Sequence, residues 1–234
     1  MDPRFREGLR HGMPIALGYF SVAIGFGILA SNAGLTVGQA VAISLSNLTS
    51  AGQVAGVGVI AAGGTLIEMA LTQFVINLRY SLMGISLSQK LDPGFRTPFR
   101  LLAAHGITDE IFAVCSGYPG LLTPAYMYGV TLIAMAGWGG GTLVGAAMGE
   151  LLPAVLTDAL GIMLYGMFLA VFIPAARADR GTRAVVLLAA ACSVLVTYGL
   201  PQLSGGFAII LCSVAAAALG AKWFPVREEE EAAA

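Results

Sequence analysis

Six charged side chains lie inside apolar stretches of this sequence or close to their ends. They are Glu68, Arg79, Asp109, Glu110, Glu150 and Asp158. A charge at the centre of a bilayer costs about 2.5–3.5 kcal/mol on insertion scales, so such residues are functional candidates unless they pair with each other or reach the interface. Interfacial placement is the stronger alternative for Glu150 and Asp158, because both lie near Pro153, which favours a loop.

The third apolar segment carries a polar stripe at helical spacing. Its members are Gln73, Asn77, Tyr80, Ser81 and Gly84. Arg79 lies beside this stripe and follows Glu68 by about three helical turns, or about 16 Å at 1.5 Å per residue. Glu68 and Arg79 therefore cannot pair directly, and each needs a partner from another segment. We predict that Asp109 and Glu110 supply these partners.

The second apolar segment, residues 36–60, is unusual because polar side chains crowd its middle. They are Ser44, Ser46, Asn47, Thr49, Ser50 and Gln53. A lipid-facing helix would carry Leu or Val at these positions, so other helices must enclose them. We predict a broken or re-entrant helix near residues 44–53, whose freed backbone groups line a cavity. The alternative is a continuous helix with small residues at a close helix–helix contact.

The composition requires a membrane environment. Of the 234 residues, 57% are hydrophobic and 11% are charged, whereas a soluble domain carries about 25% charged residues. The mean hydropathy is +0.83. We therefore predict an all-α integral membrane protein that forms a single transmembrane domain over residues 1–234.

Eight apolar segments follow one another along the chain. They are residues 13–31, 36–60, 65–88, 101–118, 125–148, 153–173, 184–200 and 205–223. At about 20 residues per crossing, they predict about seven to eight membrane segments. The blocks 13–88 and 101–173 each hold three segments, and a C-terminal hairpin follows. This order is compatible with two three-helix repeats of opposite orientation.

Basic residues predict the orientation of the chain. Arg4, Arg6 and Arg10 precede the first segment, which predicts a cytoplasmic N-terminus. The basic loop at residues 90–100 lies outside if three segments cross before it, against the positive-inside rule. It lies inside if the second segment re-enters the membrane instead of crossing. The sequence is compatible with both topologies.

Several functions are disfavoured by what the sequence lacks. It contains no Gly-x-x-x-x-Gly-Lys-Ser/Thr motif, so the chain cannot itself hydrolyse a nucleotide. Its two histidines, His11 and His105, are too few for a haem or a histidine metal cluster. A formal net charge of −1 gives no basic surface for nucleic acid. We expect no enzyme activity, no metal ion and no cofactor.

The polar residues that remain suit a small zwitterion. An aliphatic amino acid needs a cation or a helix N-terminus for its carboxylate, an anion or carbonyl for its ammonium, and an apolar pocket for its side chain. The candidate binding residues are Asn47, Gln53, Asn77, Arg79, Asp109 and Glu110. An inorganic ion or another small metabolite satisfies the same physical requirements.

A series of short motifs runs along nearly the whole chain. They are Pro14-Ile15, Gly18-Tyr19, Gly25-Phe26-Gly27, Gln53, Ala61-Ala62-Gly63, Glu68, Asn77-Leu78-Arg79, Thr108-Asp109-Glu110, and Trp138 with Gly145 and Gly149. In this order and spacing they resemble the AzlC family, the large subunits of bacterial branched-chain amino acid exporters. The chain departs from the family pattern at Tyr80, where a histidine is usual.

The resemblance implies a secondary transporter in the bacterial cytoplasmic membrane. It implies export of leucine, isoleucine, valine or a related residue such as methionine, driven by the proton gradient. It also implies a small membrane partner subunit of the AzlD type. Carried over by position, the resemblance indicates Gln53, Asn77, Arg79, Asp109 and Glu110 as the residues of interest. The alternative is a scaffold or channel subunit whose partner holds the substrate site.

Overall fold

The computed structural model describes residues 2–148 and 153–224. Two features predicted from the sequence lie outside these residues: Gly149 as a family position and Glu150 as a charged candidate. The side chain of Asp158 lies outside the described part as well.

Ten helices make up most of the described chain. Their bounds are α1 Pro3–Asn32, α2 Val37–Asn47, α3 Ser50–Ala61, α4 Leu66–Ser88, α5 Thr97–His105, α6 Asp109–Gly117, α7 Pro124–Met148, α8 Ala154–Ala178, α9 Arg180–Gly199 and α10 Gly205–Trp223. Within the described residues there is no β-strand. The all-α prediction is therefore confirmed.

Five described helices are long and apolar enough to cross a membrane. They are α1, α7, α9, α10 and the Ala159–Ala178 part of α8. The predicted count of seven to eight membrane segments is not confirmed. Two of the other predicted segments are each broken into helices of 9 to 12 residues, shorter than the roughly 20 residues of a crossing. The 23-residue helix α4 carries Glu68 and Arg79.

The described residues fall into two compact units. The first contains residues up to Val54 together with Asn77–Tyr165, and the second contains Ala55–Ile76 together with the described residues from Gly166 onwards. A single transmembrane domain over residues 1–234 stays a prediction.

In the first unit, α1 and α7 lie side by side and run parallel. A Cβ atom built on Gly137 would meet the carbonyl oxygen of Ala16, and one built on Gly145 would meet that of Ile24. Residue numbers rise together along both helices, so the two have the same direction. Glycine at these positions lets the backbones approach closely, which is how membrane helices gain van der Waals contact.

The core of the first unit lies between α1, α6 and α7. Its buried apolar side chains include Ala23 of α1, Ile111 of α6 and Val130 of α7. Tyr126 is also buried there, and its hydroxyl contacts Nδ1 of His11 at 2.9 Å. This packing holds the middle of α6 against the two parallel helices.

The second predicted segment is broken, as its polar residues indicate. Helix α2 ends at Asn47 and α3 begins at Ser50. Between them Leu48 takes a left-handed backbone conformation, with φ of 49°, and its N–H donates to the carbonyl of Ser44 at 3.2 Å. A left-handed residue of this kind is a common way to end a helix. The predicted break within residues 44–53 is confirmed.

The fourth predicted segment, residues 101–118, is also broken, which the sequence analysis missed. Helix α5 ends at His105 with Gly106 as its C-cap, and Thr108 is the N-cap of α6. The prediction of one continuous segment over residues 101–118 is therefore wrong. The reason is local: the Thr108 hydroxyl accepts the Ile111 N–H at 3.3 Å, which starts a new helix at this point.

Helices α5 and α6 form a hairpin whose two ends lie together. The N–H of Asp92 donates to the carbonyl of Leu122 at 2.9 Å, and the N–H of Leu122 donates to the carbonyl of Lys90 at 2.8 Å. Beyond α6, the Tyr118 hydroxyl donates to Glu7 Oε2 at 3.1 Å. The hairpin therefore enters and leaves at the end of the unit where α1 and α7 begin.

In the second unit, α9 and α10 form an antiparallel hairpin. A Cβ atom on Gly181 would lie 3.2 Å from Cβ of Phe224, and one on Gly220 would lie 2.5 Å from Cγ2 of Val185. The start of α9 therefore faces the end of α10, which confirms the predicted C-terminal hairpin.

The two three-helix repeats stay a prediction. The two helix breaks fall in the second segment of block 13–88 and in the first segment of block 101–173.

Candidate functional site

The six predicted binding residues lie at the two helix breaks and on α4. Asn47 ends α2, Gln53 lies in the first turn of α3, Asp109 and Glu110 begin α6, and Asn77 and Arg79 lie on α4. All six belong to the first unit. The structure thus brings to one unit a set of residues that the sequence spreads over more than sixty positions.

Arg79 pairs with Asp109, as predicted. Its Nη1 lies 2.9 Å from Asp109 Oδ2, and both side chains are half-buried. Its Nη2 donates to the Tyr80 hydroxyl at 3.0 Å, and the guanidinium carbon lies 4.9 Å from the centre of the Tyr80 ring. Asp109 is also the first residue of α6, where a negative charge stabilises the positive end of the helix dipole. The pair therefore joins α4 to the start of α6.

Glu110 is held by a different group, the hydroxyl of Tyr19 on α1. The Tyr19 hydroxyl lies 2.5 Å from Glu110 Oε2 and 2.6 Å from the hydroxyl of Thr108. The Tyr19 hydroxyl is the donor toward both oxygen atoms, and a carboxylate only accepts hydrogen bonds. Thr108 in turn accepts the Ile111 N–H. These contacts fix the start of α6 against α1.

Gln53 is fully buried in a second network, at the α2–α3 break. Its Nε2 donates to the Ser44 hydroxyl at 2.9 Å, and its Oε1 accepts from Trp138 Nε1 at 2.8 Å. The Ser44 hydroxyl then lies 2.5 Å from that of Thr142 on α7, which donates to the carbonyl of Trp138 at 3.1 Å. Because an indole N–H only donates, the orientation of the Gln53 amide is fixed. The network ties both halves of the broken helix to α7.

The two networks meet through an aromatic contact. The rings of Tyr19 and Trp138 lie edge to face, 5.0 Å apart at 71°, a favoured geometry for aromatic pairs. Tyr19 belongs to the network at α6, and Trp138 belongs to the network at α3. The two helix breaks are thus connected through side chains of α1 and α7.

The sequence analysis missed the roles of Tyr19, Ser44 and Thr142. Tyr19 was noted only within a family motif, and Ser44 only as one of many polar residues. Nothing about Thr142 sets it apart in the sequence, because a threonine in an apolar helix usually bonds its own backbone. The signal for Thr108 was present: Thr followed by two acidic residues is typical of a helix N-terminus.

Glu68 has a partner other than the predicted one. Its carboxylate accepts the hydroxyl of Ser204 at 2.5 Å and the N–H of Gly206 at 3.1 Å, within the second unit. Only 3% of Glu68 is exposed. Ser204 is the N-cap of α10, but its side chain makes no capping bond to that helix. The carboxylate of Glu68 caps the helix instead, by accepting the N–H of Gly206. The prediction that Asp109 or Glu110 is the partner of Glu68 is wrong. A carboxylate at a helix N-terminus is stabilised by the helix dipole and needs no cation.

Among the residues that the structure describes, no group of three or more His, Cys, Asp or Glu side chains is placed to hold a metal ion. The polar side-chain groups at the two breaks are hydroxyls, amides, the carboxylates of Asp109 and Glu110, the guanidinium of Arg79 and the imidazole of His105. Such a set can bind a small charged or zwitterionic molecule by hydrogen bonds and ion pairs.

Comparison with known proteins identifies the family. The family model described as "AzlC protein" matches residues 14–152. The chain is 28% identical over 229 residues to the inner membrane protein YgaZ of Escherichia coli, covering 94% of this chain and 91% of that protein. It is 29% identical over 184 residues to a membrane protein of Archaeoglobus fulgidus, covering 78% of this chain and 80% of the relative.

Both relatives are named as membrane proteins, in agreement with the five long apolar helices among the described residues. No solved structure matches the chain significantly. The matched region includes both helix breaks, the Arg79–Asp109 pair and the whole of α7. The chain is a multi-pass membrane protein and belongs to the AzlC family.

Proposed function

We propose that this chain is a secondary transporter that exports branched-chain or related aliphatic amino acids, such as methionine, across the bacterial cytoplasmic membrane. The observation that carries the proposal is the cluster of Arg79, Asp109 and Glu110 at the break between α5 and α6. Charges inside a membrane segment are costly and mark substrate or ion pathways. The family resemblance described above supplies the substrate class.

The charges of the cluster match one ammonium group. Arg79 contributes one positive charge, and Asp109 and Glu110 contribute two negative ones, so the formal charge of the three is −1. Arg79 pairs with Asp109, while Glu110 accepts only a neutral hydroxyl among the contacts described. We assign Glu110 as the partner of the substrate ammonium, and Arg79 with Asp109 as the pair that positions the start of α6.

The broken helices supply the rest of the site. Non-helical backbone at membrane depth is tolerated where it is enclosed by protein or lines a cavity, and transporters place substrates at such breaks. Asn47 and Asn77, both half-buried, supply amide groups that bind polar atoms without adding charge. Gln53, with both amide atoms in the network to Ser44 and Trp138, positions the first break rather than contacting substrate.

A small membrane subunit of the AzlD type is part of the proposal. In α9, none of the residues is buried, and Leu187, Val194 and Leu195 are among its exposed apolar side chains. Lipid and a helical partner both suit a surface of this kind. The chain itself performs no chemical conversion of the substrate in this proposal.

Amino acid efflux from cells tests the function. Cells are loaded with isoleucine, valine, leucine or methionine, and efflux is measured with and without this chain and with and without a small membrane subunit of the AzlD type. Glu110→Gln is compared with wild type, and Asp179→Asn, in the turn before α9, is the matched acidic control. We expect efflux that requires both chains, collapses with the proton gradient, and falls at least about tenfold in Glu110→Gln only.

Efflux of none of the four amino acids, with the chain shown to be in the membrane, would contradict the proposed substrate class. Full efflux from Glu110→Gln would remove Glu110 from the site. If substitutions on the small subunit abolish binding while changes at Glu110 and Arg79 alter only assembly, the chain is a scaffold or channel subunit instead.

A further inference from the structure

A groove of about 300 Å³ lies between α4, the loop that follows it and α5, within the first unit. It extends along α4 over residues 81–88, or about 10 Å at 1.5 Å per residue. Its lining is mostly apolar and includes Ile85, Leu87, Leu91, Phe95 and Ala104. An elongated groove with such a lining suits a hydrocarbon chain, because burial of apolar surface is favourable.

The groove borders a membrane-facing surface of the first unit. Ile85, which lines it, is 62% exposed, and Leu101 and Leu102 of α5 are 70% and 62% exposed. In a membrane protein, exposed apolar side chains of this kind face lipid or another membrane helix. A lipid chain therefore has direct access to the groove.

Among the described residues, Arg100 alone adds a charge to the lining of the groove. Its Nε donates to the carbonyl of Phe95 at 2.9 Å, which holds the exposed side chain at the loop. Its Nη1 and Nη2 bond no other residue in the described part of the chain. A guanidinium binds phosphate through two such nitrogens in parallel, so Arg100 is positioned to bind an anion at the groove.

The loop beside the groove is basic as a whole. Residues 89–100 carry Lys90, Arg96 and Arg100 against one acid, Asp92, which gives a formal net charge of +2. Asp92 Oδ1 accepts the N–H of Gly94 at 2.7 Å, so this carboxylate bonds its own loop. The loop lies at the end of the unit where α1 begins, and α1 begins with further arginines. Basic residues clustered at one membrane face attract anionic lipids.

The apolar groove and the guanidinium together match an amphiphilic anion. We propose that the groove binds an anionic phospholipid, with one acyl chain between α4 and α5 and the phosphate on Arg100. Basic pockets between membrane helices are a recognised type of site for anionic headgroups. The net charge of the loop favours an anionic headgroup over a zwitterionic one for the same reason.

The exported amino acid of the proposed function does not suit this groove. Arg100 would bind its carboxylate, but among the described residues no carboxylate lines the groove to bind its ammonium. None of the six candidate binding residues lines the groove either. The inference therefore does not depend on which molecule the chain transports.

Lipid binding to the purified full-length chain in detergent tests the inference. Native mass spectrometry measures binding of phosphatidylglycerol, which is anionic, and of phosphatidylethanolamine, which is zwitterionic. Glycerol 3-phosphate, a phosphate anion without acyl chains, is added as a competitor. The variants are Arg100→Gln, which removes the charge, Arg100→Lys, which keeps it, and Ala104→Phe, which fills the groove. Arg183→Gln in α9 and Leu102→Phe, outside the lining of the groove, are the matched controls.

We expect wild type to bind phosphatidylglycerol at least about fivefold more tightly than phosphatidylethanolamine, the effect of one basic residue at a membrane surface. Arg100→Gln should remove this preference, while Arg100→Lys should keep most of it. Ala104→Phe should weaken binding of both lipids, because it blocks the acyl chain. Both controls should match wild type, and thermal unfolding midpoints should show that every variant is folded.

Three results would overturn the inference. The first is that Arg100→Gln leaves phosphatidylglycerol binding unchanged or weakens both lipids equally. The second is full competition by glycerol 3-phosphate, which would identify a site for soluble phosphates. The third is loss of phosphatidylglycerol binding when the small membrane subunit is added, which would show that protein covers the groove.

Discussion

Nε2 of His105, the last residue of α5, donates a hydrogen bond of 3.0 Å to the carbonyl oxygen of Leu45 in the last turn of α2. A carbonyl oxygen only accepts, so the proton of the imidazole is on Nε2 in this contact. His105 directly precedes the second helix break, and Leu45 lies just before the first. The bond therefore joins the two breaks within the first unit, at the carbonyl end of α2.

The Arg79–Asp109 pair is expected to be necessary for transport. Arg79→Ala leaves the half-buried Asp109 carboxylate without its cation, so we expect amino acid efflux to fall at least about tenfold, or about 1.4 kcal/mol. Arg79→Lys keeps the charge and is the matched control, with an intermediate rate because a lysine cannot form the same planar contacts. Wild-type efflux from Arg79→Ala at normal expression would remove the pair from the site.

Gln53 is expected to matter for stability more than for substrate specificity. Gln53→Ala leaves Ser44 and Trp138 Nε1 buried without this partner, and each such loss costs about 1–3 kcal/mol. Thermal unfolding in detergent should therefore show a clearly lower midpoint for Gln53→Ala, while Gln89→Ala, at an exposed position, should match wild type. A normal midpoint with altered substrate preference would instead place Gln53 in contact with substrate.

The parallel contact between α1 and α7 is expected to tolerate no added methyl group. A Cβ on Gly141 would overlap the carbonyl oxygen of Phe20 and lie 2.9 Å from Cβ of Ala23, so Gly141→Ala should destabilise the protein by about 1–3 kcal/mol. Gly18→Ala is the control on α1, since a Cβ there meets no atom within 4 Å. Equal unfolding midpoints for the two variants would contradict the close approach of these helices.

The hairpin of α5 and α6 predicts the topology of the loops. Because the hairpin enters and leaves where α1 begins, residue 89 should lie on the same membrane face as the N-terminus. Helix α4 is not among the five helices that are both long and apolar enough to cross, but its 23 residues span about 35 Å at 1.5 Å per residue, the length of a crossing. We therefore expect residue 62 on the opposite face. Residues 36–61 then re-enter, which satisfies the positive-inside rule for the basic loop.

Cysteine labelling tests this topology in a chain whose Cys115, Cys192 and Cys212 are replaced. An impermeant thiol reagent should reach Gln89→Cys and Asp2→Cys from one face of oriented vesicles, and Ala62→Cys from the other. Labelling of Gln89→Cys and Ala62→Cys from the same face would show that α4 does not cross.

Glu68 is expected to stabilise the second unit. Glu68→Ala removes the acceptor of the Ser204 hydroxyl and the Gly206 N–H at the start of α10, which should lower the free energy of unfolding by about 1–3 kcal/mol. Glu68→Gln retains one acceptor oxygen and should lose less. If Glu68→Ala unfolds normally but abolishes efflux, Glu68 belongs to the transport pathway and not to the cap.

The helical membrane class and the first helix break were predictable from the sequence, because both depend on local composition. Polar residues around Asn47 and Gln53 cannot face lipid, whatever their partners are. The second break was predictable in principle from Thr108 and the acidic residues after it. It was missed because the surrounding residues are apolar enough to suggest one continuous segment.

The partners of the charged residues needed the tertiary structure. From the sequence, both Glu68 and Arg79 need a partner, and Asp109 and Glu110 were predicted as the partners of both. In the folded chain, Asp109 forms an ion pair with Arg79, and Glu110 accepts a hydrogen bond from Tyr19. Glu68 accepts one from Ser204, a residue 136 positions away. The cost of burying a charge depends on the residue and its own segment, so it can be predicted from the local sequence. The group that offsets this cost is whatever the long-range packing places within about 3 Å, and only the folded chain specifies that.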